Sequence, residues 1–222
     1  MDRPPNAALD DARELEWVRA IQAGDGSALT PLLTRYQDRL FGVCLRMVGD
    51  RDLAADLTQD AMIKVIEGLG SYDGRAKLST WMIRVTMNVC LSKLRAEKVR
   101  RHVSLDAPSS PERHPSGRGS GAAYAPRVDN EGEPVGLGRV ERDEVRQRVA
   151  AALHRVAPEQ RAILVLRDCR GLDYDQIAEV LSVPVGTVKS RLFRARSALR
   201  DVLEAMERPA AGPVTRAPDS AV

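Results

Sequence analysis

Apolar residues recur at steps of three and four along most of this chain. The clearest run spans residues 172–203, LDYDQIAEVLSVPVGTVKSRLFRARSALRDVL. Asp173 and Gln176 have the spacing of a capping box, which predicts a short helix starting there. Ile177, Ala178, Val180 and Leu181 give that helix an inner face, and Ser182-Val183 breaks it. Pro184 fits the first turn of a second helix. From there Val185, Val188, Leu192, Ala195, Leu199 and Leu203 form one continuous apolar stripe.

The same periodicity makes residues 10–103 helical. Leu15, Val18 and Ile21 belong to a first helix that stops at Gly24-Asp25-Gly26. Ser27 can cap a second, lined by Leu29, Leu32, Leu33, Tyr36, Leu40, Val43, Cys44 and Met47 and ended by Gly49-Asp50. Asp52 can cap a third, with Ala55, Leu57, Ala61, Met62, Val65, Ile66 and Leu69 inside. A glycine-rich loop follows. A fourth helix runs from about Ser79 to Arg101 on Met82, Val85, Val89 and Leu94, with Trp81 near its start.

Residues 104–140 break the pattern. They are rich in Pro, Gly and Ser and lack apolar periodicity, as expected of a disordered linker between domains. Helical signals resume near Glu141. Val145, Val149, Leu153 and Val156 define one helix, and Pro158 opens another that carries Ile163, Val165 and Leu166 and stops at Gly171. With the closing hairpin these make a four-helix domain over 141–206. The tail 207–222 reads as disordered. The expected fold is all-α, with two helical domains, an N-terminal bundle and a C-terminal helix-turn-helix domain, on a flexible linker.

Charge sharpens the picture more than composition does. The 222 residues carry 34 Lys and Arg against 31 Asp and Glu, a net of +3, but the signs are segregated. Residues 184–200 contain no Asp or Glu, and Thr187, Lys189, Ser190, Arg191 and Arg194 lie off the apolar stripe. A solvated helix normally interleaves acid with base, so a purely basic face points to DNA: the second helix of such a hairpin enters the major groove. In the fourth helix Arg84, Asn88, Ser92 and Arg95 share a face, and Glu97 is the only acid between Arg75 and Arg101. The third helix is the opposite, with Asp50, Asp52, Asp56, Asp60, Glu67 and Asp73 in and around it, which suits a basic protein partner.

Composition excludes other classes. No run of eighteen apolar residues offers a membrane span, and the acidic start MDRPPNAALDDARELEW is not a secretory signal. Cys44, Cys90 and Cys169 are far apart in helical patterns, so they read as buried fillers rather than as a disulfide or metal framework. The three histidines do not cluster. No metal, cofactor, catalytic residue or small-molecule substrate is expected, and the default compartment is the cytoplasm.

Five stretches together carry a family resemblance. They are GDGSALTPLLTRYQDRLFGVCLRMVGD, DLAADLTQDAMIKV, LSTWMIRVTMNVCLSKLR, APEQRAILVLRDCRGLDYDQIAEVL and VPVGTVKSRLFRARSALR. In order and spacing the chain resembles a bacterial RNA polymerase sigma factor of the small extracytoplasmic-function class. The resemblance implies that region 2 spans 10–103 and region 4 spans 141–206. It implies that Asp56, Gln59 and Asp60 bind the clamp coiled coil of the largest subunit of core RNA polymerase. It assigns minus-ten promoter DNA to Tyr72, Lys77, Arg84, Asn88, Ser92 and Arg95, with the loop Ser71 to Leu78 capturing a flipped base. It assigns the minus-thirty-five element to Thr187, Lys189, Ser190, Arg191 and Arg194. An anti-sigma factor is implied as a further partner. The chain departs from the family pattern near Ala61-Met62, where an aromatic is usual, and in its long, Gly-rich linker. Two rivals stay open on the residues alone. One is an operator-binding helix-turn-helix regulator that works without polymerase. The other is an enzyme built on the N-terminal bundle, for which no catalytic constellation is present.

Overall fold

In the computed structural model, the structure describes residues 5–105 and 138–207; side chains are described for 11–101 and 143–207. Every regular element among them is helical. The elements are α1 (Pro5–Gln22), a 3-10 turn (Gly26–Ala28), α2 (Leu29–Val48), α3 (Arg51–Leu69), α4 (Leu78–Leu105), α5 (Gly138–Arg155), α6 (Pro158–Leu164), a π-helical turn (Val165–Cys169), α7 (Tyr174–Leu181) and α8 (Val185–Glu207). The expected disordered linker and tail lie almost wholly outside the described residues. At their edges, α4 extends to Leu105, α5 begins at Gly138 and α8 includes Glu207.

The first bundle is α1 to α4. Leu32, Tyr36 and Leu40 of α2 meet Val65 and Leu69 of α3 and Met82 of α4 in a closed core. α1 is fastened by a buried carboxylate: Glu14 accepts from Arg35 Nε at 2.8 Å and from the Tyr36 hydroxyl at 2.7 Å. Caps differ in detail from expectation. Asp25 rather than Ser27 precedes the 3-10 turn, accepting from the Ser27 N–H at 2.9 Å. Asp50 rather than Asp52 caps α3, accepting from the Leu53 N–H at 2.8 Å. Each acid stands two or three residues before the N–H it accepts from, the spacing at which an N-cap side chain reaches a free donor of the first turn.

The C-terminal domain closes around Ile163, Leu164, Val165 and Leu166, four consecutive buried residues. A surface helix cannot bury four in a row, so this segment must be covered on all sides. α5, α7 and α8 cover part of it, and the first bundle covers the rest. One hydrophobic cluster runs from Val43, Cys44 and Met47 of α2 through Ile83, Met87 and Cys90 of α4 to Leu153, Ala162, Leu166, Ile177, Val188 and Leu192. The helix expected from Pro158 to Gly171 also widens into a π turn, where the Arg170 N–H reaches the Val165 carbonyl at 3.0 Å. Val145 and Val149, expected inside, are 55% and 40% exposed, and Ala55 is exposed as well. Cys44 and Cys90 are buried fillers with sulfurs 3.7 Å apart, whereas Cys169 is exposed.

The two domains meet where α2 ends. Gly49 ends α2 in the left-handed region, φ +79, and a β-carbon there would sit 2.9 Å from the ring of His154 on α5. Arg161 of α6 is 6% exposed and donates to the carbonyls of Leu153 (2.9 Å), Val156 (3.1 Å) and His154, and across the domain boundary to that of Met47. The Nδ1 of His154 has no partner. Burial, helped by the Arg161 charge, pushes the His154 imidazole down to about 4 from 6.5.

A group whose pKa is lower in the folded than in the unfolded protein takes up its proton on unfolding. His154 therefore contributes stability above pH 6.5 that is lost as the pH falls from 6.5 towards 4. Chemical denaturation at pH 7, 6 and 5 should show a steeper loss for the native protein than for His154→Gln. Parallel profiles would refute this placement of the ring.

Candidate nucleic-acid interface

Two exposed basic faces and one exposed acidic face stand on this scaffold. The helix-turn-helix is built by local chemistry. Asp173 accepts from the Gln176 N–H at 2.8 Å, and Gln176 Oε1 accepts from the Asp173 N–H at 3.0 Å, completing the capping box. Ser182 takes φ 53, and the Val183 N–H returns to the Ala178 carbonyl at 3.0 Å, a Schellman closure without glycine. Val188, Leu192 and Ala195 then anchor α8 in the core. That burial turns Lys189, Ser190, Arg191 and Arg194 to solvent and leaves Thr187 half-buried. Arg196, nearby, is committed elsewhere: it pairs with Asp168 at 2.5 Å.

Sequence reasoning missed one residue of this face. Phe193 is 76% exposed and shares an open depression with Gly186, Lys189, Ser190 and Arg194. A large aromatic left in water within a basic helix face has no packing role in the free chain. Its signal was present in the sequence, because position 193 falls just off the Leu192 stripe.

α4 presents the second basic face. Met82, Ile83, Thr86, Met87, Cys90 and Leu91 are buried, while Asn88, Ser92 and Arg95 are exposed and Arg84 is half-buried. The loop before α4 is held from within. The Tyr72 hydroxyl donates to the Ala76 carbonyl at 2.5 Å, and its ring tilts against Trp81 with centroids 5.4 Å apart. Trp81 in turn lies on Gly68, where a β-carbon would be 3.0 Å away. Gln22 of α1 donates to the carbonyls of Leu69 (3.0 Å) and Tyr72 (2.9 Å). Tyr72 is thus 8% exposed. An aromatic in a sparse set is needed to shape the loop, and burial pushes its phenol pKa up. Lys77 is exposed at the loop's end.

The acidic face is on α3. Ala54, Leu57, Thr58, Ala61, Val65 and Leu69 point inward, and Asp56, Gln59 and Asp60 point out. Ile63 and Ile66, 48% and 40% exposed, continue that outward stripe. Ile66 was expected in the core. Acids flanking exposed apolar side chains form a surface of the protein-docking kind.

Residues 32–100 match the family model Sigma-70 region 2, and residues 146–199 match Sigma-70, region 4. The RNA polymerase sigma-H factor of Pseudomonas aeruginosa is 32% identical over 202 residues, covering 91% of this chain and all of that protein. The chain belongs to the sigma-70 family of RNA polymerase sigma factors, in its extracytoplasmic-function class. The ECF sigma-E factor of Escherichia coli is 30% identical, with 86% of this chain and 94% of that protein covered. Bartonella quintana RpoE, solved in complex with the anti-sigma factor NepR, has the same fold, with TM-score 0.55 and 22% identity over 81% of this chain and 98% of that one. CnrH, in complex with the cytosolic domain of CnrY, gives TM-score 0.56 and 19% identity over 87% of this chain and 98% of that one. As a sigma factor the protein directs promoter-specific transcription initiation, and an operator-binding regulator independent of polymerase is not favoured. No helix among the described residues is long and apolar enough to cross a membrane, and no group of three or more His, Cys, Asp or Glu among them could hold a metal.

α7, which packs on α8, starts at the Asp173 cap. Replacing it with alanine should lower stability by about 1 kcal/mol and weaken duplex binding more than an exposed α5 change such as Glu144→Ala. Denaturant melts and a duplex titration check both, and unchanged melts would mean the capping box contributes nothing.

Proposed function

We propose that this sigma factor docks on core RNA polymerase through the acidic face of α3 and reads promoter DNA through α4 and α8. The observation that carries the reading is segregation of charge on one scaffold. Asp56, Gln59 and Asp60 stand out from α3, while Asn88, Ser92 and Arg95 stand out from a stretch, 75–101, whose only acid is Glu97, and the outer side chains of α8 from one, 184–200, with no acid. Region 2 over 10–103 and region 4 over 141–206 divide the labour, joined by 104–140.

Each surface fits its partner chemically. The α3 acids meet a basic clamp coiled coil of the largest polymerase subunit, and Ile63 and Ile66 add apolar area beside them. On α4, Arg84, Asn88, Ser92 and Arg95 face the minus-ten strand, and Lys77 holds its phosphates at the loop. Base capture falls to the loop's polar and backbone groups rather than to the buried Tyr72 ring. On α8, Arg191 and Arg194 read base edges, Thr187, Lys189 and Ser190 fix the helix on the backbone, and Phe193 covers a thymine methyl. No covalent chemistry is involved, and the work is done where genome and polymerase meet, in the cytoplasm. An anti-sigma partner is supported by the solved relatives, which were captured with theirs.

Two substitutions test the assignment. Asp60→Arg should abolish co-purification with core polymerase while leaving the melting temperature unchanged, because the residue is exposed and unpacked. Arg191→Ala should cost about 1–3 kcal/mol at a single position of the minus-thirty-five element, read by a panel of point-substituted promoters. Native polymerase affinity in the first, or an unaltered promoter preference in the second, would remove that role.

A further inference from the structure

A third basic cluster lies apart from both DNA-reading faces. Arg39 and Arg46 are seven residues apart on α2, two turns along one side of the helix. Gly42 stands between them on that side. Arg46 Nη1 donates to the Gly42 carbonyl at 2.8 Å, and a β-carbon on Gly42 would come to 3.0 Å from the same nitrogen. The glycine thus leaves room for the guanidinium to lie along the helix. The π turn packs on α2 and brings Cys169 and Arg170 to the pair. The Arg46 guanidinium is within hydrogen-bonding reach of the Cys169 sulfur. Arg170 is half-buried, and its Nε is buried with no hydrogen-bond partner. Burial first, then the charges of Arg39 and Arg46, push the Arg170 guanidinium down to about 10. A buried donor without an acceptor and three like charges in one place both cost stability unless an acceptor of opposite charge offsets them. No carboxylate among the described residues pairs with any of the three. Asp168, the neighbouring acid, is held by Arg196 at 2.5 Å.

We propose that Arg39, Arg46 and Arg170 form a binding site for a small phosphate-class oxyanion, either inorganic phosphate or the phosphate of a phosphomonoester. The donors select this chemistry. Guanidinium groups present planar forks of N–H donors that match the oxygens of a phosphate, and here they converge from two elements. A dianion accepts from the buried Arg170 Nε, which the protein itself leaves unpaired, and neutralises most of the clustered charge. Enclosure sets the size. A nucleic-acid strand needs an open basic track, as α8 offers, whereas the unpaired donor here lies under the π turn and admits one phosphate group. Arg39, exposed at the rim, draws the anion in, and Arg46 and Arg170 hold it. Because the ligand binds only where α2 and the π turn are folded together, it must raise stability by mass action. None of the three arginines belongs to the polymerase-docking or promoter-reading surfaces, so the site stands or falls apart from those assignments.

The test is calorimetric titration of the full chain in reducing chloride buffer at fixed ionic strength, with inorganic phosphate in one arm and adenosine monophosphate in the other, alongside thermal melts. Native protein should bind at one saturable site and melt at a higher temperature as the ligand is raised. Tighter binding of adenosine monophosphate identifies a phosphomonoester as the ligand, and equal or tighter binding of phosphate identifies the free ion. Arg170→Glu places a carboxylate beside Arg39 and Arg46. Without ligand it should melt at or above the native temperature, and it should bind phosphate about tenfold more weakly or worse, the loss of one charge-assisted hydrogen bond. Arg39→Gln, at an exposed position, should weaken binding severalfold and leave the fold intact. Arg155→Glu makes the same charge change at an exposed position of α5 and should bind as the native chain does. No saturable binding of either anion to native protein would overturn the site. So would native affinity in both Arg170→Glu and Arg39→Gln, and so would an equal loss in Arg155→Glu, which would reduce the effect to net charge.

Discussion

The guanidinium of Arg161 sits where two helices end. Its hydrogen bonds go to backbone carbonyls at the end of α5 and to the carbonyl of Met47 in the last turn of α2. The final carbonyls of any helix lack intrahelical donors and carry the negative end of its dipole, so one buried cation satisfies two such ends at once. The cost is desolvation, which lowers the arginine's own pKa. An apolar replacement would leave several buried acceptors unpaired, at about 1–3 kcal/mol each. Because one of those acceptors belongs to the other domain, the same side chain that closes the turn between α5 and α6 also sets where region 4 rests. The Gly49 cap and the His154 ring complete that contact, and the shared apolar cluster extends it.

That constraint decides what the functional helices expose. α8 is held by Val188, Leu192 and Ala195 inside region 4, and its basic side lies away from the junction. α4 is held by region 2, but the junction forms along it, so Arg84 and Arg95 acquire intramolecular partners. The acidic α3 is on neither side of the contact. Asn88 and Ser92 of α4, the outer side of α8 and the acids of α3 are left exposed together.

Much of this was legible in the sequence. The capping box at Asp173 and Gln176 and the break at Ser182 are local signals that form as read, and the stripe expected from Val185 to Leu203 is buried at Val188, Leu192 and Ala195 but leaves Val185 44% exposed. The outward positions of α3, α4 and α8 followed from the same periodicity. What escaped was non-local. Four consecutive apolar residues from Ile163 to Leu166 announce a helix covered on all sides, but not which domain covers it. Arg161 reads as a surface charge until a second helix end is placed against it. The burial of Tyr72 against Trp81 and the Ala76 carbonyl depends on how the loop closes. The outward tilt of Val145 and Ile66, against an apolar pattern, likewise reflects neighbours rather than spacing.

The central claim is that one chain joins core polymerase to two promoter elements through α3, α4 and α8. Multi-round transcription tests it most directly, using purified bacterial core polymerase, this protein and fragmented genomic DNA. The account predicts discrete start sites that vanish when the protein is omitted, with two shared upstream elements at a fixed spacing. Start sites that are the same with and without the protein, from a polymerase that does not retain it, would contradict the account.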